Sequence, residues 1–246
     1  MNLKKIILGT TAIALTAAVS VGATLAYLTD TDEDVNVMTL GNVYIEQIEQ
    51  ERVDDTDHQT ELTDFQDNKP LLPAVYPGDS IDWADESEWV VPGDEAWKIV
   101  QDNDNVVDKF VTVKNTGDSD AYVRTLIAFE EDFSLIHHVG NGPDITEGAT
   151  WEWEWLDGTF EYEGATYSLC VVTYTDVLPA GETTIPSLKQ IYMNKAATNE
   201  YCEQFGDSYD ILVYSQAVQS AGFDDATTAL NEAFGEISVT ANPWVE

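Results

Sequence analysis

Positive charge is what this chain has least of. Its 246 residues carry 10 Lys+Arg against 46 Asp+Glu, a formal net charge of −36. Nucleic acid is excluded on that ground, because its phosphates are bound by neutralising them with Lys and Arg. An anionic membrane surface is disfavoured for the same reason. Histidine is nearly missing too: His58, His137 and His138 are the complete set, and no HExxH or HxxEH spacing occurs. Adjacent residues on a strand point to opposite faces, so His137 and His138 cannot chelate one ion together; they read as polar loop residues before Val139-Gly140-Asn141-Gly142. GxSxG and Ser-x-x-Lys are absent, which removes the common serine-nucleophile signatures. With 46 acids, chance carboxylate pairs are certain, so a glycosidase reading has nothing specific to rest on. Cysteine occurs only as Cys170 and Cys202, with no CxxC. An oxidising compartment would join them in one disulfide; two buried free thiols are the alternative.

What is present is apolar and aromatic: 43% hydrophobic and 11% aromatic residues are too many for an acidic disordered tail. The chain reads as folded and highly anionic, with cations, cationic polymers or copies of itself as partners. Residues 1–26 read as a secretory signal. Lys4 and Lys5 form a charged start, Ile6 to Val21 carries no charge, and small residues precede cleavage between Ala26 and Tyr27. No cysteine near that point offers a lipid anchor, and no wall-sorting signal is recognised. The expected product is secreted and keeps no stable membrane anchor. Without those two lysines the mature chain stands at −38.

The mature chain reads mostly as strands. Val106 to Lys114 and Asp120 to Glu130 flank Asn115-Thr116-Gly117-Asp118 and predict a hairpin, the second arm alternating Ala121, Val123, Thr125, Ile127 and Phe129 against Tyr122, Arg124, Leu126 and Ala128. Trp151 to Tyr162 alternates Trp with Glu and predicts a second hairpin, its three indoles Trp151, Trp153 and Trp155 on one face, as core or as a sugar-stacking surface. Further strands are expected at 169–174, 184–193, 210–219 and 237–240. One helix is predicted after Asp224 or Asp225, with Ala226, Ala229, Leu230, Ala233 and Phe234 on its apolar stripe and Gly235 as terminator. A second short helix is expected near 198–205. The sum is a mainly β, antiparallel, jelly-roll-like β-sandwich spanning 27–246 as one domain. Residues 46–105 read as an irregular acidic insertion.

Asp30, Asp32 and Asp34 begin like a calcium loop, but its positions 6 and 12 fall on Val35 and Gly41, so the pattern fails. They remain candidates for low-affinity binding of calcium or another divalent cation; no cofactor is required.

Several segments together resemble a known family. Gly22-Ala23-Thr24-Leu25-Ala26-Tyr27-Leu28-Thr29-Asp30-Thr31-Asp32, followed by Leu40-Gly41-Asn42-Val43, is similar to the start of proteins exported through the dedicated signal peptidase SipW, the TasA/camelysin family of biofilm-matrix proteins. Val107 to Arg124, Leu178-Pro179-Ala180-Gly181-Glu182-Thr183-Thr184 and Ala233-Phe234-Gly235 resemble later elements of that family, in the same order. The resemblance implies a jelly-roll that assembles into extracellular fibres on a Gram-positive-type bacterium, with the N-terminal segment inserted as a strand into the next subunit. Residues 27–45 suit that role, with Val35, Val37, Met38, Leu40, Val43 and Ile45 as donor-strand candidates. The camelysin branch is classed with metallopeptidases, but no motif here has positions to receive that activity. The expected function is therefore a secreted structural protein forming fibres with itself or related subunits. A metal-dependent protease, a glycan-binding adhesin and a fibre-accessory protein are the alternatives.

Overall fold

In the computed structural model, residues 43–54, 61–67, 69–71, 87–90, 96–99, 105–140, 151–205 and 208–245 are described. Ala26, Tyr27, Asp30, Asp32, Asp34, Val35, Val37, Met38 and Leu40 lie outside them, as does His58.

Two antiparallel sheets face each other as a β-sandwich. The first is built from β1 (Ile45–Arg52), β2 (Leu62–Asp64), β5 (Val106–Asn115), β7 (Ile136–Gly140) and β10 (Leu188–Met193), in the order β2-β1-β5-β10-β7. The second is built from β6 (Ala121–Glu130), β8 (Trp151–Tyr162), β9 (Ala165–Tyr174) and β11 (Ile211–Gln219), in the order β11-β6-β9-β8. A small hairpin of β3 (Ser87–Val90) and β4 (Ala96–Ile99) stands apart, and Trp97 and Ile99 of β4 pack on Phe110 of β5. Val111 and Val113 of β5 meet Val123, Ile127 and Phe129 of β6, Trp151, and Cys170 and Val172 of β9 between the sheets.

The expected hairpin of β5 and β6 is not one. β5 pairs with β1 and β10, whereas β6 pairs with β11 and β9. Period-2 alternation grouped the side chains that share a face correctly, but the link from 116 to 120 carries the chain from one sheet to the other. Trp151 to Tyr162 is likewise one strand. Asp157-Gly158 falls in an irregularity between Trp155 and Thr159, where Gly158 takes φ 90°. The turn comes later, at Glu163-Gly164 with φ 50° and 94°, the left-handed pair that a two-residue hairpin loop needs. Residues 237–240 form no strand; only a bridge between Ser238 and Ala241 is made there. Ile45–Arg52, whose residues from 46 on read as insertion, is an interior strand paired along six residues with β5.

Both helices are where the sequence puts them. α1 (Asn199–Glu203) is capped by Thr198, and α2 (Ala226–Phe234) by the Asp225 carboxylate, which accepts from Thr228 N at 2.8 Å. Ala229 and Leu230 bury the α2 stripe against Val218 of β11. Arg124 fixes the far end, donating to Asn231 Oδ1 at 2.8 Å and Gly235 O at 3.1 Å. Burial of that guanidinium pushes its pKa down to about 10. Past α2, Ile237, Val239 and Trp244 cover the outer face of the second sheet, Trp244 stacking on Phe160 at 5.9 Å.

Along the facing edges of the two sheets, Gly140 of β7 lies under Trp153 of β8. A Cβ there would sit 2.4 Å from Trp153 Cζ2 and 3.0 Å from Ser187 O. Gly140→Ala should therefore destabilise by about 1–3 kcal/mol, as overpacked sites do. In urea unfolding, adding Trp153→Leu to Gly140→Ala should return part of that loss; additive costs would mean the two side chains do not compete.

Candidate functional site

One end of the sandwich opens into a cavity of about 720 Å³, and the residue pattern explains why. The inward side of β1 runs Ile45, Gln47, Glu49, Glu51, and the inward side of β5 runs, from the same end, Val113, Val111, Lys109, Val107. Near Ile45 the layer is apolar and closed. Gln47 already turns polar, accepting from Ser215 Oγ at 2.8 Å across the sandwich edge. Beyond it charges replace core residues, and a charged pair cannot be packed between sheets as valine is. Lys109 Nζ donates to Glu49 and lies 4.1 Å from the Phe65 ring centre; Lys69 pairs with Glu51 at 2.7 Å.

The cavity walls come from five chain segments. Phe65 and Leu71 follow β2, Val107 opens β5, Ile191 and Met193 end β10, Cys202 and Phe205 belong to the α1 region, and Tyr209 to Leu212 enter β11. Tyr209 Oη lies 3.0 Å from His138 Nε2, and the His138 and Phe129 ring centres are 3.8 Å apart. His137 and His138 are thus strand residues of β7, not loop residues. They do point apart: His137 stacks on Tyr192 at 4.8 Å. Burial foremost, with His137 adding, pushes the His138 pKa down to about 3; burial also raises the Tyr209 phenol. Neither ring is arranged as a base beside a nucleophile. The opening instead suits an extended segment that alternates apolar and charged residues: Phe65, Leu71, Ile191, Met193 and Phe205 give apolar wall, and Asp67, Lys69, Lys109, Ser208 and Asp210 give polar positions among them.

Other candidates fall as follows. Val43 and Ile45 are each 1% exposed and pack in their own sandwich, so as donor-strand candidates they are already spent; the segment left for a neighbour is 27–42. Cys170 is buried in the inter-sheet core, its thiol pushed up to about 12 by burial, and Cys202 Sγ contacts Met193 Sδ at 3.7 Å. Both are free thiols in this structure, but the alternative of two buried thiols holds for Cys170 alone, because Cys202 is half-buried and lines the cavity. Trp151 is core, its indole N–H donating to Ile185 O at 2.8 Å; Trp153 is half-buried; Trp155 is exposed. Among the described residues no group of three or more His, Cys, Asp or Glu is placed to hold a metal ion, and no helix is long and apolar enough to cross a membrane.

The sequence reading missed the cavity. Its one visible signal was Lys109, a cation at the inward phase of a strand otherwise valine on that side. Set against known protein families, curated proteins and solved structures, the chain matches none.

Proposed function

We propose that this protein is a secreted structural subunit of a bacterial cell-surface or biofilm matrix, and that its copies join head to tail, residues 27–42 of one entering the end cavity of the next. What supports this reading is that the point where the segment joins the sandwich and the cavity lie at opposite ends. Tyr44 O accepts from Thr116 N and Gly117 N, so the N-terminal segment joins the sandwich at the β5–β6 link. The cavity opens at the other end, where β5 begins and β10 finishes. A subunit whose tail departs from one pole and whose socket opens at the other makes heterologous, open-ended contacts, which build filaments rather than closed dimers.

Length and chemistry agree with that geometry. Sixteen extended residues reach about 50 Å, beyond the roughly 33 Å of a ten-residue strand such as β5. Val35, Val37, Met38 and Leu40 supply apolar side chains for the walls, and Asp30 to Asp34 can meet Lys69 at the mouth. Like copies at −38 repel one another, so divalent cations or acid should speed assembly.

Electron microscopy of protein beginning at Tyr27, beside protein beginning at Val43, tests the proposal. The longer chain should form filaments in calcium or mild acid, the shorter one should stay monomeric and folded, and Phe65→Asp, at a half-exposed cavity wall, should act in the longer chain like the truncation. Filaments from the chain lacking 27–42 would overturn the reading.

A further inference from the structure

β8 is an edge strand: β9 pairs with one side of it, and among the described residues nothing pairs with the other. Its first half carries Glu152 and Glu154 outward, both exposed, while Trp153 and Trp155 point to the opposite face. Trp155 is 46% exposed yet held from behind, stacked on Phe133 at 5.6 Å and tilted against Phe129 at 5.3 Å. Phe129 is fully buried, so the indole is the visible end of an aromatic column rooted in the core. Charge on this flank is one-sided. β7, β8 and β9 carry no Lys or Arg, and β8 alone carries Glu152, Glu154, Asp157 and Glu161.

From these observations we infer that the Trp151–Trp155 edge of β8 is a docking site for an extended, basic segment of another protein, added as a strand. An incoming strand would use the free backbone groups of the edge. Alternation then fixes its side chains: Lys or Arg at every second position meets Glu152 and Glu154, and the residues between lie beside Trp153 and Trp155. A second copy of β8 is a poor occupant, because it would set glutamate against glutamate. The segment 27–42 is equally unsuited, having four acids and no Lys or Arg. The site is therefore separate from the head-to-tail contact and does not rest on it. It lies on the flank of the sandwich, where a filament could recruit a cationic partner.

The test uses protein beginning at Tyr27, kept monomeric at neutral pH without divalent ions, and a capped Lys-Val-Lys-Val-Lys-Val peptide. Titration should shift the tryptophan fluorescence, and the shift should shrink in Trp155→Phe, where Trp153 remains beside the peptide, while binding, read by peptide anisotropy, persists. Glu152→Gln with Glu154→Gln should weaken binding about tenfold, given that each cross-strand charge pair is worth up to about fivefold. Peptide N-methylated at alternate residues in the register facing β8 should not bind. Equal binding of that methylated peptide would reduce the contact to diffuse electrostatics and overturn the inference. So would tighter binding by a glucosamine oligomer than by the peptide, which would make the indole a sugar platform. Binding unchanged in the double glutamine variant would also overturn it.

Discussion

Replacing Asp108 by alanine should cost about 3–5 kcal/mol, the usual price of removing one partner from a buried ion pair. Asp108 lies on the outward side of β5, facing Arg52 of β1 and Gln190 of β10 in one row across three strands. The guanidinium donates from Nε to Oδ2 at 2.5 Å and from Nη2 to Oδ1 at 2.9 Å, and Gln190 Nε2 donates to Oδ1 at 2.9 Å. The side chains are 2% and 4% exposed, so water cannot replace the lost carboxylate. Asp108→Asn keeps the shape but removes the charge, and should lose at least half as much. The pair itself adds little net stability, since desolvation offsets most of the attraction. Arg52→Met with Asp108→Leu should therefore be far less damaging than Asp108→Ala alone. Urea midpoints for the three variants measure this directly. A double variant as unstable as the single one would show that the row contributes stability outright, beyond holding register.

That row also shows where the sequence was silent. Arg52 and Asp108 are 56 residues apart, and each looks like a solvated charge in its own segment. β1 reads as acidic and irregular because its glutamates find their partners far away: Glu49 on Lys109, Glu51 on Lys69. Where most inward residues of a strand are apolar, as Val123, Ile127 and Phe129 of β6 are, its alternation stands out and the side chains that share a face were grouped correctly. Pairing is another matter. Alternation says which side chains share a face, not which strand lies alongside, so β5 and β6 were joined across a link that in fact changes sheets. The two helices were legible because caps and stripe are local. Asp225, Thr198 and Gly235 act within one turn of themselves. The cavity is the opposite case. It needs five segments spread from Phe65 to Leu212, and no window of sequence contains it.

Acid should weaken the folded subunit through His138 even while it eases contact between subunits. In the unfolded chain this imidazole takes up a proton near pH 6.5. In the fold it does so only near pH 3, because the ring is enclosed by Phe129, Phe133 and Tyr209, with His137 beside it. The unfolded state thus binds more protons below pH 6.5, and stability falls as pH falls, by up to about 1.4 kcal/mol per pH unit until the folded pKa is reached. Glu130 works the other way. Burial raises its pKa, so its protonation on acidification relieves a cost of the folded state. Comparing variants isolates the histidine from that term and from the general loss of charge repulsion. His138→Phe keeps a ring in the aromatic column but gives up the 3.0 Å hydrogen bond with Tyr209, about 1 kcal/mol at neutral pH. Between pH 7 and pH 4.5 its urea midpoint should fall less than that of the parent chain, and the two should cross. Parallel midpoints over that range would place His138 outside the acid response. If they cross, assembly in acid has a lower bound set inside the subunit: repulsion among copies near −38 fades as carboxylates protonate, but the β7 edge that closes one flank of the sandwich is losing its fit at the same time.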